Sequence, residues 1–256
     1  MNPGEQLRDY ISAMYPVGKA STVERMDNDL QADGELLTLF HSSLINYLVR
    51  RLIITAEYHR RRYGSDWKIR LRSYLSDYTR FHDKHHTPLL ELLSRCLSAR
   101  DEGITATDRS RIKNEARKRG DGCYVCGRTL DYVVGNQPNS FTLDHIWPSA
   151  LGGGSEWDNL KGCCLVCNTS VKRDFLEGSD YHFEEISLTS GTDLWNPTSG
   201  RGRHYRGAVF FHHDFKCGYC DQPAERVGEL KVGQREEDDS WHFLNLAPFC
   251  PIHFPF

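Results

Sequence analysis

The chain has 256 residues, nine cysteines, 26% charged residues and a formal net charge of −3, a length that accommodates one large domain or two small ones. Met1 to Lys19 lacks a basic start followed by an apolar run, and nowhere does an apolar stretch long enough to span a bilayer occur, so the chain is expected to be soluble and cytoplasmic, with neither a leader nor a membrane span. The odd cysteine count argues against a disulfide framework, and seven of the nine stand in Cys-x2-Cys or Cys-x2-His spacing, which suits metal thiolates in a reducing compartment.

The first 120 residues read as helices. Leu36, Leu37, Phe40, Leu44, Tyr47, Leu48, Arg51 and Leu52 follow i, i+3, i+4 spacing, with Gly34 at the expected start and Tyr63-Gly64 at the stop. Trp67 to Phe81 gives a second helix, and Pro88 opens a third through Leu89, Leu92, Leu93 and Leu97. Cys96 falls in that third stripe and reads as a small core residue, while His82, His85 and His86 read as a solvated helix end. Thr107 or Asp108 is placed to cap a fourth helix that ends at Gly120.

Charge is divided unevenly along the chain. Residues 1 to 120 carry 21 Lys and Arg against 16 Asp and Glu, and residues 121 to 256 carry 11 against 19, so the halves differ in sign, +5 and −8. Arg60, Arg61 and Arg62 belong to a basic stretch from Arg50 to Arg72, and Arg117, Lys118 and Arg119 close a second one that leads into the first cysteine pair. Both stretches can follow a phosphate backbone or form solvated helix faces.

The central region carries the candidate chemistry. Cys123, Cys126, Cys164 and Cys167 form two pairs with the spacing of a structural zinc site. Between them, Phe141 to Ile146 predicts a short strand that delivers Asp144 and His145 at its end. Pro148 and Gly152-Gly153-Gly154 then make a loop, Asn159 to Gly162 returns as a second strand, and Cys164 to Lys172 starts a helix, giving two strands and a helix around one metal. Phosphodiester hydrolysis needs a base, a cation and fixed geometry. His145 suits the base near neutral pH. Asp144 and Asn168 can give oxygen ligands to a hard cation such as Mg²⁺ or Mn²⁺, Asn159 suits ordering of the loop, and Lys172, one turn past Asn168, can reach a phosphate. Cys163 competes with Cys164 for pairing with Cys167, and two-residue spacing favours Cys164 as the ligand.

A second set, Cys217, Cys220, Cys250 and His253, has Cys3His zinc spacing. Asn159-Leu160 stands three residues before Cys164, and Asn245-Leu246 stands three residues before Cys250, which suggests a repeated treble clef. The second copy has no Asp-His step, with Val227 to Val232 and Trp241 to Leu246 as its expected strands, and reads as non-catalytic. Between the modules, Trp195 to Gly207 is glycine-rich and basic, with Arg201, Arg203 and Arg206 suited either to a loop that enters a nucleic-acid groove or to a plain linker.

From about Arg111 to Phe175 the sequence resembles the HNH endonuclease family of the ββα-metal superfamily, in its four-cysteine zinc form. The resemblance implies Asp144 as first metal ligand, His145 as general base, Asn159 as the loop-ordering asparagine, and Asn168 as second metal ligand where many members have histidine. It also implies cleavage of one strand per site to leave 5′-phosphate and 3′-hydroxyl ends. The expected class is α+β: a helical N-terminal region (1–105) that binds substrate, presents a partner surface or forms a homodimer; a zinc-bound, treble-clef-like HNH domain (106–178); a linker and basic loop (179–210); and a second small zinc module (211–256). The expected function is a metal-dependent endonuclease acting on DNA in restriction or defence, with one catalytic Mg²⁺ or Mn²⁺ and two structural Zn²⁺. A non-catalytic zinc-dependent nucleic-acid-binding module and a phage or mobile-element nuclease are the alternatives, and RNA or branched DNA remain compatible substrates.

Overall fold

The computed structural model describes residues 1–17, 21–31, 34–79, 81–133, 135–171, 200–239 and 241–254. It divides into two units, Met1–Ile104 with His145–Leu160, and Thr105–Asp144 with Lys161–Phe256.

The first unit is built on five helices: α1 (Pro3–Met14), α2 (Ser21–Asp29), α3 (Glu35–Tyr63), α4 (Trp67–Tyr78) and α5 (His86–Asp101). Two of these, α1 and α2, are additions to the expected set. Helix α1 opens with Pro-Gly, which reads as a breaker, yet Asn2 and Glu5 form a reciprocal capping box around Pro3, and proline at the first helical position sacrifices no needed N–H. Helix α2 is polar, and its buried Asp27 accepts from Gly34 N (2.5 Å) and Leu36 N (3.0 Å). Asp27 thereby caps α3 from a neighbouring helix, where the Gly34 cap has no side chain of its own.

The core joins Leu7 and Ile11 of α1, Val49, Leu52, Ile53 and Ala56 of α3, Leu71 and Leu75 of α4, and Leu89, Leu93 and Leu97 of α5. Helix α3 begins and ends as expected, but its buried face is rotated. Leu39, Ile45, Val49, Leu52, Ile53 and Ala56 point inward, and Phe40, Leu44 and Tyr47 are exposed. The helix is apolar around much of its circumference, so periodicity fits two faces and packing against α1, α4 and α5 selects one. Of the three histidines expected as a solvated helix end, His82 is exposed, but His85 and His86 are not. His86 is buried with Nε2 3.0 Å from Phe81 O, and His85 Nδ1 lies 2.8 Å from the Tyr10 hydroxyl.

His145–Leu160 packs onto this bundle. Gly4 N donates to Gly152 O (3.0 Å), the Trp147 indole donates to Leu151 O (2.7 Å), and the Arg8 guanidinium lies 5.0 Å from the Trp147 ring centre. Gly152 has φ +80°, and a Cβ there would meet Cys96 Sγ at 2.6 Å. Cys96 is buried as expected, and burial pushes its thiol up to about 12.

The second unit starts with α6 (Ala106–Arg119), capped by Thr105, whose Oγ1 accepts from Asp108 N (3.1 Å), and ended by Gly120 at φ 68°. The cap thus lies two residues before Thr107, the earlier of the two expected cap positions. Strands β1 (Phe141–His145) and β2 (Leu160–Cys164) form one two-stranded sheet, and β3 (Lys231–Gln234) and β4 (Leu246–Phe249) form another, antiparallel, with Lys231 opposite Phe249. The strands of the second module lie later than Val227–Val232 and Trp241–Leu246, because Ala224–Val227 is a helical turn and Phe243–Asn245 a 3₁₀ turn.

The expected basic loop is also corrected. Gly200–His212 is a helix, α7, with Tyr205, Ala208 and Val209 buried at i, i+3, i+4 spacing. Three glycines in Gly200–Gly207 weaken a helix intrinsically, and burial of its apolar face overrides that preference. Lys172, the end of the expected HNH domain (173–178) and the remainder of the expected linker (179–199) lie outside the described residues.

Gly152→Ala is expected to lower stability by roughly 1–3 kcal/mol, from left-handed backbone strain and overlap with Cys96. An unchanged midpoint in chemical denaturation would refute that assignment.

Candidate metal centres and nuclease site

Two four-residue clusters hold their ligand atoms within 4.8 Å of one another: Cys123, Cys126, Cys164 and Cys167, and Cys217, Cys220, Cys250 and His253. Four sulfurs, or three sulfurs and an imidazole nitrogen, form the donor sets of tetrahedral structural zinc. Cys164 belongs to the first cluster. Its neighbour Cys163 is buried outside it, with Sγ 3.7 Å from Cys123 Sγ. In the second cluster, burial opposes the Cys217 thiolate, but the backbone N–H groups of Cys220, Cys250 and Tyr219 prevail and hold its pKa at about 6. That thiol is prepared to bind metal near neutral pH.

The modules share a hydrogen-bond frame. In the first, Cys123 N donates to Arg128 O (2.8 Å), Gly127 N to Cys123 O (2.7 Å) and Tyr124 N to Gly162 O (3.1 Å). In the second, Cys217 N donates to Gln222 O (3.0 Å), Asp221 N to Cys217 O (2.9 Å) and Gly218 N to Pro248 O (2.7 Å). The buried asparagines repeat too. Asn159 accepts from Ile146 N through its backbone oxygen (2.8 Å) and from Trp147 N through Oδ1 (2.7 Å), and Asn245 accepts from Arg235 N (2.8 Å) and Glu236 N (2.9 Å) in the same way. Counting back from these bonds, Asp144-His145 correspond to Gly233-Gln234. The repeat retains the clip and the loop lock but has neither the acid nor the imidazole.

Each residue between the first cysteine pairs has a defined environment. Asn159 is buried and also donates to Trp147 O (3.2 Å) and Gly154 O (2.7 Å), so one amide closes the loop with three side-chain bonds. The Asn168 amide nitrogen donates to Thr142 Oγ1 (3.0 Å) and Leu143 O (3.3 Å). Its orientation is fixed by β1, with Oδ1 as the remaining acceptor. Asp144 accepts from the Tyr124 hydroxyl at 2.8 Å on one carboxylate oxygen. Burial and the negative charge of Asp144 push the Tyr124 pKa up, so this phenol stays a donor. Carboxylate and amide oxygens are the donor types that a hard divalent cation takes, and Asn168 stands on the turn Cys167–Val171. His145 lies with Nε2 3.2 Å from Ser155 Oγ.

Tyr124, Thr142 and Ser155 were not among the residues expected from sequence. Only Tyr124 had a visible signal, a bulky phenol inside a zinc knuckle where core packing alone does not require a hydroxyl.

Most of the candidate nucleic-acid cations are engaged within the protein. Arg60 pairs with Asp101 (2.6 Å) and Glu57 (2.8 Å), Arg61 with Glu57, and Arg119 with Asp121 (2.8 Å). Arg62 bonds the Tyr58 hydroxyl (2.5 Å) and lies over the Tyr58 and Tyr63 rings. Arg206 is half-buried on α7, where it lines a small cavity with Arg128, Glu229, Cys126 and Cys167. Burial pushes its pKa down, and Cys167, Arg128, Cys126 and Glu229 are close enough to act on its charge. Arg117 and Lys118 on α6 are exposed. The side chains of Arg201 and Arg203 lie outside the described residues.

No curated protein and no solved structure matches the chain. Cys220→Ala is expected to reduce bound zinc from two ions per chain to one by elemental analysis, and to lower thermal stability, since a structural zinc contributes on the order of 10 kcal/mol to folding. Retention of both ions would reject the second centre. Residues 123–184 match the model for the HNH endonuclease family, and the four-cysteine cluster within that segment is compatible with the match.

Proposed function

We propose that the protein is a metal-dependent endonuclease that hydrolyses phosphodiester bonds in DNA, as a restriction or defence enzyme. The observation that carries this reading is the difference between the two modules. They share knuckle and asparagine bonds, yet only the first places Asp144-His145 where the second has Gly233-Gln234. A pure binding module has no use for that difference.

In this reading Asp144 and Asn168 hold one Mg²⁺ or Mn²⁺, which supplies positive charge to the scissile phosphate and the leaving oxygen. His145 takes the proton from the attacking water. Asn159 holds the loop that aims the imidazole, Tyr124 fixes the Asp144 carboxylate, and Lys172 binds an adjacent phosphate. The products carry 5′-phosphate and 3′-hydroxyl ends. Arg117 and Lys118 are the strongest candidates for backbone contact among the described cations, and the second zinc module supports binding without chemistry. The domain limits 1–105, 106–178, 179–210 and 211–256 belong to the same proposal, with α7 now crossing the last boundary, as does a cytoplasmic location; no described helix is long and apolar enough to cross a membrane.

His145→Ala is expected to lower cleavage of complex DNA in Mg²⁺ or Mn²⁺ by on the order of 10²–10⁴-fold while both zinc ions are retained. Equal cleavage by the variant would overturn the assignment, and mapping the ends on modified and unmodified DNA tests the product chemistry and the defence role.

A homodimer is the second part of the proposal. On α3, Phe40, Leu44, Tyr47, Ile54 and Tyr58 are exposed at alternating four- and three-residue steps with Arg51 in the one gap, the 3.5-residue period of a helix–helix seam. A second copy presents the same stripe. Leu44→Asp with Ile54→Asp is expected to convert a dimer into a monomer in light scattering, and a monomeric wild-type protein would reject it.

A further inference from the structure

The resting state of His145 is set by a hydrogen-bond chain that begins outside the nuclease motif. Ser155 Oγ lies 3.2 Å from His145 Nε2 and 3.4 Å from the backbone oxygen of Glu102. A carbonyl oxygen has no proton to give, so the bond between Ser155 and Glu102 takes the single hydroxyl proton of the serine. The hydroxyl can then meet Nε2 only as an acceptor, which places the imidazole proton on Nε2 and makes Nδ1 the basic nitrogen of the neutral ring.

The surroundings hold this chain in place. Ser155 follows Gly154, whose carbonyl accepts from the buried Asn159 amide at 2.7 Å. Glu102 caps the C-terminal end of α5, where the helix dipole places partial negative charge and strengthens a carbonyl as an acceptor. Its position is fixed by a helix that buries Leu89, Leu93 and Leu97 in the bundle core.

We infer that Ser155 is a positioning residue that selects the Nε2-protonated tautomer of His145, and that the Glu102 carbonyl at the end of α5 sets the direction of the serine hydroxyl. The helical region therefore contributes to catalysis through the base, besides any part in binding DNA. The inference rests on the reading of His145 as the general base. An imidazole with its proton on the wrong nitrogen cannot accept one from water in the same orientation, so the effect falls on the chemical step.

The test combines ¹⁵N spectra of the His145 ring, at a pH where it is neutral, with cleavage kinetics of Ser155→Ala and Ser155→Thr in zinc-loaded, full-length protein. The wild type is expected to show the proton on Nε2. Ser155→Ala should lose that preference and lower kcat by about 10- to 100-fold, the range seen when a partner that orients a functional imidazole is removed, with KM changed less than about twofold because substrate binding is untouched. Ser155→Thr, which keeps the hydroxyl, should restore both. Protonation on Nδ1 in the wild type overturns the inference, as does a Ser155→Ala protein that keeps the wild-type tautomer, whatever its rate. If His145→Ala is inactive while Ser155→Ala behaves as wild type, only the positioning role fails. An active His145→Ala protein removes the catalytic reading beneath it.

Discussion

Four buried cysteine sulfurs within 4.8 Å of one another are the constraint on which the nuclease segment depends. Buried charge is costly unless it is compensated, and a cation shared by these sulfurs as thiolates would both compensate it and tie the knuckle Cys123–Cys126 to the end of β2. The bonds from Cys123 N to Arg128 O and from Tyr124 N to Gly162 O then fix the knuckle against the strand. Tyr124 is part of that knuckle, so the metal clip also sets the phenol that holds Asp144. Arg128 and Arg206, beside the cluster, would offset part of the negative charge that four thiolates around one divalent zinc leave behind. The cysteine cluster and the candidate catalytic carboxylate are thus linked through one residue.

The second module shows which parts of this arrangement serve folding. It keeps the knuckle bonds and the buried Asn245 with its acceptor contacts. Asn159 and Asn245 therefore perform the same structural task, locking the connection that follows the first strand by satisfying backbone groups that would otherwise be buried unpaired. What is particular to the first module is what the lock serves: Gly154 is held, Ser155 follows, and His145 is met at its ring nitrogen.

Electrostatics in the basic stretches follows from side-chain reach. Glu57 is mostly buried, and although burial opposes its ionisation, Arg61, Arg60 and Arg100 hold its pKa below the ordinary carboxylate value. Much of the positive charge around Arg60 is consequently spent within the fold, and Arg62 leans on tyrosine rings. Sequence proximity to a cysteine motif is a better guide on α6, where Arg117 and Lys118 remain on the surface.

Several features were legible in the sequence because they depend on local spacing. Cysteine pairs two residues apart form a clip wherever the chain can turn, and both clusters gather the expected residues, with Cys164 rather than Cys163 in the first. The strand delivering Asp144 and His145, the asparagine lock and the limits of α3 likewise follow from short-range pattern. The face α3 buries, the partial burial of Arg206 and the helical state of Gly200–His212 follow from which surface meets which, and near-degenerate local patterns do not encode that choice. The contacts of Ser155 with His145 and Glu102, and of Tyr124 with Asp144, join residues 10, 53 and 20 positions apart. Only tertiary structure could decide them, because a hydroxyl has no periodicity and acquires its role from the group that packing sets beside it.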